Sequence, residues 1–270
     1  MKRYPICLIL LCILSAATQA GELTRVAEGD RFHLAVGSYL ITNSETELRY
    51  TSPYLLGLTL NTSRDLDMDR RDRVARLDGY YRFTPAHALH FTWYDIQRRG
   101  LKSISKDIEW GDVTFPVGAS IESRLDTEVL KLAYNYSFYH NEKVELGIGA
   151  GLHITKVTAG LAGIASSGSR SNVETSTTAP LPVVGARLNY WMTPKFSFRF
   201  ALDIFGIEIG NYAGTFTDID FRLLYQFGKH LGVGGGFNVN SLNLEQNENG
   251  HTLEVNNDLG GVTLFLTLNY

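Results

Sequence analysis

The sequence predicts an all-β fold: an antiparallel up-and-down transmembrane β-barrel of about ten strands, with eight or twelve left open. Three observations predict it. Apolar and polar residues alternate at period two through most of the chain, which places apolar side chains on one face of successive strands. Short turns alternate with longer polar stretches, as in a barrel whose two ends differ. No stretch beyond the first twenty residues approaches the roughly 18 consecutive apolar residues of a spanning helix, so a membrane crossing would fall to strands closed on themselves.

The start of the chain reads as an export signal. Basic Lys2 and Arg3 precede an apolar run from Ile6 to Leu14, and Thr18 and Ala20 supply small residues before a cut ahead of Gly21. Residues 1–20 are predicted as a signal peptide and residues 21–270 as one barrel domain. The apolar run is too short for a spanning anchor, and Leu11 is too large to precede a lipidated Cys12. Cys7 and Cys12 both lie in this leader, so the exported chain has no disulfide, thiolate nucleophile or cysteine metal ligand. Without Lys2 and Arg3 the charge is 23 basic against 28 acidic residues, which gives no electrostatic case for nucleic acid.

The first strand is predicted from Arg31 to Thr42, with Leu34, Val36 and Leu40 on one face and His33, Ala35, Gly37 and Tyr39 on the other. Residues 43–73, dense in charge from Arg64 on, read as a long loop with room for a small hairpin. Val74–Phe83 and Ala88–Ile96 are strands about a turn at Thr84–His87, where proline stops the ladder. Residues 97–120 read as a polar loop. Ile121–Tyr139 and Lys143–Val157 flank a turn at His140–Glu142, and residues 158–180, rich in Gly, Ser and Thr, read as a third loop. Leu181–Met192 and Phe196–Glu208 flank Thr193–Lys195. A short loop at Gly210–Gly214 leads to Thr215–Phe227, and Gly228–His230 turns into Leu231–Leu244. Glu245–Gly250 loops into the last strand, His251–Tyr270.

The faces have membrane polarity. One row is apolar and aromatic, with Tyr81, Phe83, Tyr139, Tyr190, Phe227 and Tyr270 near the short-turn ends, where an interfacial girdle belongs. A soluble lipocalin-like barrel would share the alternation without these strand ends. The inward row holds Arg76, Asp78, Arg82, His90, Lys131, Glu145, His153, Arg187, Arg199, Asp203, Asp218, Asp220 and Arg222. In a narrow lumen such charges must pair, since a lone buried charge is costly. The expected result is a salt-bridge plug. The competing reading is a narrow solute path along Gly147, Gly149, Gly151, Gly232, Gly234 and Gly236. Those glycines would equally admit close packing of Tyr80, Tyr94 and Trp191.

Enzyme parts are sparse. A hydrolase would draw on His153, serines between Ser166 and Ser171, and Asp203 or Glu208. A protease of acidic pairs and histidine would draw on Asp218, Asp220 and His251. No motif fixes either set together. Asp65, Asp67, Asp69 and Asp72 could take Ca²⁺, but the glycine and closing glutamate of an EF-hand are missing, and the interleaved arginines favour a solvated loop. No cofactor is expected.

The final residues, Val262 to Tyr270, carry the strongest family likeness. Leu264, Leu266, Leu268 and the closing Tyr270 resemble the C-terminal strand of Gram-negative outer-membrane β-barrel proteins, in the style of the OmpA-like barrel domains. The resemblance implies the outer membrane as location, contact with its lipid and lipopolysaccharide, and recognition of this strand by the barrel-assembly machinery. It implies no cell-wall tether. The expected function is non-enzymatic: envelope structure or surface interaction through the loops at 43–73, 97–120 and 158–180. A narrow channel for small solutes and a lipid- or peptide-modifying hydrolase are the alternatives.

Overall fold

The computed structural model describes residues 30–52, 55–110, 113–164, 168, 170–248 and 251–270. The expected leader at 1–20 lies outside the described residues. The elements run β1 (Phe32–Ser52), β2 (Leu55–Asn61), α1 (Thr62–Leu66), β3 (Asp72–Thr84), β4 (His87–Ser103), β5 (Ile108–Trp110), β6 (Val113–Phe115), β7 (Ser120–His140), β8 (Val144–Ile164), β9 (Arg170–Thr193), β10 (Phe196–Ile209), β11 (Tyr212–Gln226), β12 (Leu231–Glu248) and β13 (His251–Asn269).

Ten strands close the barrel: β1, β3, β4 and β7 to β13, each antiparallel to its neighbour, with β13 pairing back onto β1. Closure holds to the end of the chain. Phe32 N–H donates to the Tyr270 carbonyl at 2.8 Å and Tyr270 N–H to the Phe32 carbonyl at 2.9 Å. The short turns use side-chain acceptors. Asn141 Oδ1 takes the N–H of Lys143 and Val144 at 2.9 and 2.7 Å, and Thr193 Oγ1 takes that of Phe196 at 3.0 Å. Each bond offers the chain a local turn in place of a ladder, so the strand reverses there.

The lipid belt follows the predicted parity. Leu130, Leu132, Tyr134, Tyr136 and Phe138 on β7, Ile148 and Leu152 on β8, and Leu264, Leu266 and Leu268 on β13 are all exposed. On β7 the belt spans nine residues, Leu130–Phe138. At ~3.3 Å per residue and a tilt of roughly 40° this is a height of about 23 Å, matching an apolar band of about 25 Å. The expected girdle residues Tyr81, Phe83, Tyr139, Tyr190, Phe227 and Tyr270 are exposed at the short-turn end. At the other edge Trp93 Nε1–H donates to Glu128 at 3.1 Å, the mixed apolar-and-wet setting that suits tryptophan.

The three expected loops are instead mostly strand. Residues 43–73 contain the upper half of β1, then β2 and α1. Residues 97–120 complete β4 and carry the β5–β6 hairpin, and 158–180 belong to β8 and β9. Above the belt the alternation changes sign. Asp95, Gln97 and Arg99 now take the outward positions of β4, while Ile96 is buried; Arg124, Asp126 and Glu128 face out on β7, while Ile121 and Val129 are buried. A rule that expects apolar residues outward reads this inverted stretch as loop. The strands continue because, in water, the apolar row turns inward to be buried.

Above the membrane the inward Ile121 of β7 and Leu161 of β8 join Leu60, Leu66, Met68, Ile104, Ile108 and Phe115, from the segments between the barrel strands, in one apolar core. Burial of a side chain such as Phe115, fully covered here, is worth about 1.5–3 kcal/mol. The helix α1 is five residues long and owes its place to caps. Asn61 Oδ1 accepts from the N–H of Ser63 and Arg64 at 3.1 and 2.9 Å, and Asp67 closes the helix at φ 54°. The helix lies across β4, and Gly100 is what admits it: a Cβ there would stand 2.1 Å from the Leu66 carbonyl oxygen. Arg98 then donates to the Asp69 carbonyl at 3.0 Å and to Thr62 Oγ1 at 3.2 Å.

Candidate functional site

The lumen at membrane level is the chemically distinctive part of the molecule. Period two puts the polar residues of each strand there, and the register of neighbouring strands sets which of them meet. Arg76 donates from Nε to Asp78 at 3.0 Å and from Nη2 to Asp220 at 3.0 Å; Arg222 returns the arrangement, to Asp78 at 2.8 Å and Asp220 at 2.6 Å. Thr92 adds a bond to Asp78 at 2.8 Å. The Arg76 guanidinium sits over the rings of Tyr39 and Tyr94, 5.2 and 5.4 Å from their centroids. Beside this square, Lys131 bridges Asp203 and Asp218 at 2.8 and 2.6 Å, Arg187 holds Asp203 at 2.6 Å, and Asn238 donates to Asp218 at 2.6 Å. Toward the short turns, Arg82 grips Glu145 with two bonds of 2.9 and 3.1 Å, and Ser137 and Asn189 complete that carboxylate.

All of the charged and histidine residues assigned to the inward row occur in this interior. The two readings of the inward glycines separate here. A Cβ on Gly147 would meet the Asn135 amide at 2.6 Å, on Gly234 the Phe265 ring at 2.4 Å, and on Gly236 the Phe221 carbonyl oxygen at 2.0 Å. Their missing side chains are used for close packing. What empties the lumen is a smaller feature, a cavity of about 100 Å³ lined by His33, Tyr80, His90, Asn189 and Arg199 together with the paired Arg76, Asp78, Arg187, Asp220 and Arg222. Above the ion pairs the interior turns apolar: Tyr39, Ile41, Tyr94, Ile96, Val129 and Leu259 pack on one side. His153 lies against Phe216 at 4.4 Å, beside Leu181 and Val183.

The enzyme candidates do not converge. Ser171 pairs with Gly163, ten residues up β8 from His153, about 33 Å at ~3.3 Å per residue. Ser166, Ser167 and Ser169 lie outside the described residues. Asp203 is taken by Lys131 and Arg187, and Glu208 shares the outward row of Leu202 and Ile204. His251 pairs with Glu248 at the far end of β12, eight residues beyond Asn240, the partner of Asp218, and so about 26 Å away. Of the loop acids, Asp67 and Asp69 are exposed, while Asp65 bonds Arg64 at 3.2 Å and the Asn61 N–H at 2.8 Å. Among the described residues no three His, Cys, Asp or Glu residues group to hold a metal ion. Burial opposes ionisation of Asp65, but Arg64, the Asn61 N–H and Lys106 outweigh it, holding the carboxyl below the usual carboxylate range.

The alternation put Tyr39 and Thr92 on the inward face; sequence reasoning missed Asn189 and Asn238 as members of the lumen network, and the apolar core above it. The signal for the core was present in the inward parity of Ile96, Val129 and Leu161.

No family model matches the chain, and no curated protein matches it. Solved structures do. The outer-membrane protease OmpT of Escherichia coli aligns over 94% of this chain and 100% of its own, at TM-score 0.57 and 11% identity. The translocator domain of the autotransporter NalP from Neisseria meningitidis aligns over 97% and 94% at TM-score 0.48 and 9% identity. Ail, the attachment invasion locus protein of Yersinia pestis, aligns over 87% and 98% at TM-score 0.31 and 11% identity. Such identities concern the fold alone. The closed ring and its outward apolar belt define the class by fold: a ten-strand antiparallel β-barrel of the kind found in those outer-membrane proteins.

Proposed function

We propose that this chain is a non-enzymatic barrel of the outer membrane that serves the envelope as a closed scaffold and presents its upper rim to the surroundings. The observation that carries the reading is the filling of the interior at two levels. Paired charges occupy the membrane-level lumen, and the Leu60–Phe115–Leu161 core closes the space above it. A pore would need a continuous wet path, and catalysis would need reactive groups free to meet a substrate. The scattered positions of His153, Asp203, Glu208 and His251 argue against the second. The rim around 43–73, 97–120 and 158–180 is the contact surface in this reading, with lipopolysaccharide and outer-membrane lipid as neighbours. The exposed Leu264, Leu266, Leu268 and Tyr270 fit the strand read by the barrel-assembly machinery.

The second reading, a narrow channel, is favoured by the lumen cavity of about 100 Å³. Single-channel recording of the refolded barrel in planar bilayers tests the two. Folded protein that leaves the bilayer silent is the expected result; discrete, reproducible openings would hand the case to the channel.

A further inference from the structure

The lumen charges balance with one exception. Arg76, Arg82, Lys131, Arg187 and Arg222 each contact at least one of the carboxylates Asp78, Glu145, Asp203, Asp218 and Asp220. Arg199 is the remaining cation, and among the described residues it has no ion pair. Its guanidinium lies 5.6 Å from the centroid of Tyr80, and its Nε is buried without a hydrogen-bond partner. Asp30 feels Arg199 from the mouth of the barrel but forms no ion pair with it. Arg199 as a whole is only half-buried, so its guanidinium keeps a face open to the lumen, and a lumen cation without a carboxylate partner is the natural place for an anion from outside the chain.

The surroundings suit one. Arg199 lines the cavity of about 100 Å³, which offers room for a few waters or a small ion. Asn189, whose amide gives one N–H to Glu145 at 3.0 Å, lines the same cavity with a second N–H to give. His33 and His90 flank Tyr80, with ring centroids 5.1 and 5.2 Å away; His33 Nδ1 is bonded to Asn269 Oδ1, which leaves His90 as the ring able to donate to an anion. The cavity's two carboxylates, Asp78 and Asp220, would repel an anion, but each is already clamped by both Arg76 and Arg222. The free positive charge is therefore local to Arg199.

We propose that the lumen is a binding site for a small oxyanion, a phosphate or a short carboxylate, held by Arg199 with Asn189 and His90. The anion completes the charge network from outside the sequence, as the carboxylates of the chain complete it elsewhere. The site does not depend on the closed-scaffold reading, because a conducting barrel would titrate in the same way.

The test is calorimetric titration of the refolded barrel in detergent with inorganic phosphate and with acetate, at fixed ionic strength in chloride, beside Arg199→Gln and Arg49→Gln. Arg49 is an exposed residue of β1 far along the strand from the cavity and serves as the control. Saturable binding of at least one probe by wild type and by Arg49→Gln is expected, at least about tenfold weaker in Arg199→Gln, since a charge-assisted contact is lost. A second measurement guards against misfolding. In probe-free buffer Arg199→Gln should unfold at the same midpoint as wild type or a higher one, because it loses no carboxylate partner. Absence of saturable binding to wild type, equal binding by Arg199→Gln, or a marked drop of its midpoint without probe would each overturn the proposal.

Discussion

The same strands obey opposite rules on either side of one level. Below Asp95 on β4, Glu128 on β7 and Lys156 on β8, apolar side chains point out and polar ones point in. Above it charges point out and form ion pairs such as Arg124–Glu174 at 3.7 Å and Arg49–Glu254 at 3.7 Å, while Ile121, Phe115 and Leu161 fill the inside. The backbone does not change at the boundary; the solvent does. In lipid the lumen is the wet or polar compartment. In water the lumen is the place to hide apolar area. The lower half is therefore tied together by charges and the upper half by apolar packing, and the two should fail differently.

The largest effect is expected from Asp78→Ala. It removes the shared acceptor of Arg76, Arg222 and Thr92 and leaves two guanidinium groups short of a partner. Removal of one member of a buried pair costs about 3–5 kcal/mol, to be read as a lower urea midpoint of the refolded barrel. A midpoint unchanged within error would mean that lumen water already carries those charges.

The next compares two outward positions across the boundary. Leu132 lies in the lipid belt and Thr158 above it, one strand over. Leu132→Arg should cost about 2–4 kcal/mol near the bilayer midplane, whereas Thr158→Arg should stay within about 0.5 kcal/mol. Reversible unfolding in lipid vesicles gives both values. Equal costs at the two sites would mean that the boundary is misplaced.

The smallest effect concerns pH. The Asp65 carboxyl, which receives the Asn61 N–H and the Arg64 guanidinium, is held below its ordinary range. A group with a lowered folded value contributes stability that is complete above its unfolded value and is lost as pH falls through the folded one. The α1 cap should therefore loosen only below about pH 4, seen as faster backbone exchange at 61–68 while the belt strands stay protected. Loosening that begins near neutral pH would point to a different group.

Much of this was legible in the chain. Which residues of β7, β8 and β13 face lipid follows from period two alone, because alternation is a property of the extended backbone and needs no partner. The closing row Leu264–Leu266–Leu268–Tyr270, the turns at Thr84, Asn141 and Thr193, and the inward set of charges rest on the same local geometry. Tertiary structure decided the rest. Arg76 meets Asp220 across 144 positions and Lys131 meets Asp218 across 87, and only register and closure of the ring select those partners over other charges of the same row. The same pairing leaves Arg199 without a carboxylate among the described residues, which no reading of its neighbours in sequence would single out. Strand length also belongs to the tertiary level. Residues 120–128 and 158–164 stay extended because the rim gives the inward Ile121 and Leu161 a shared core to enter, and residues 97–103 because the inward Arg98 and Gly100 receive α1, rewards that appear only once β4, β7 and β8 stand side by side.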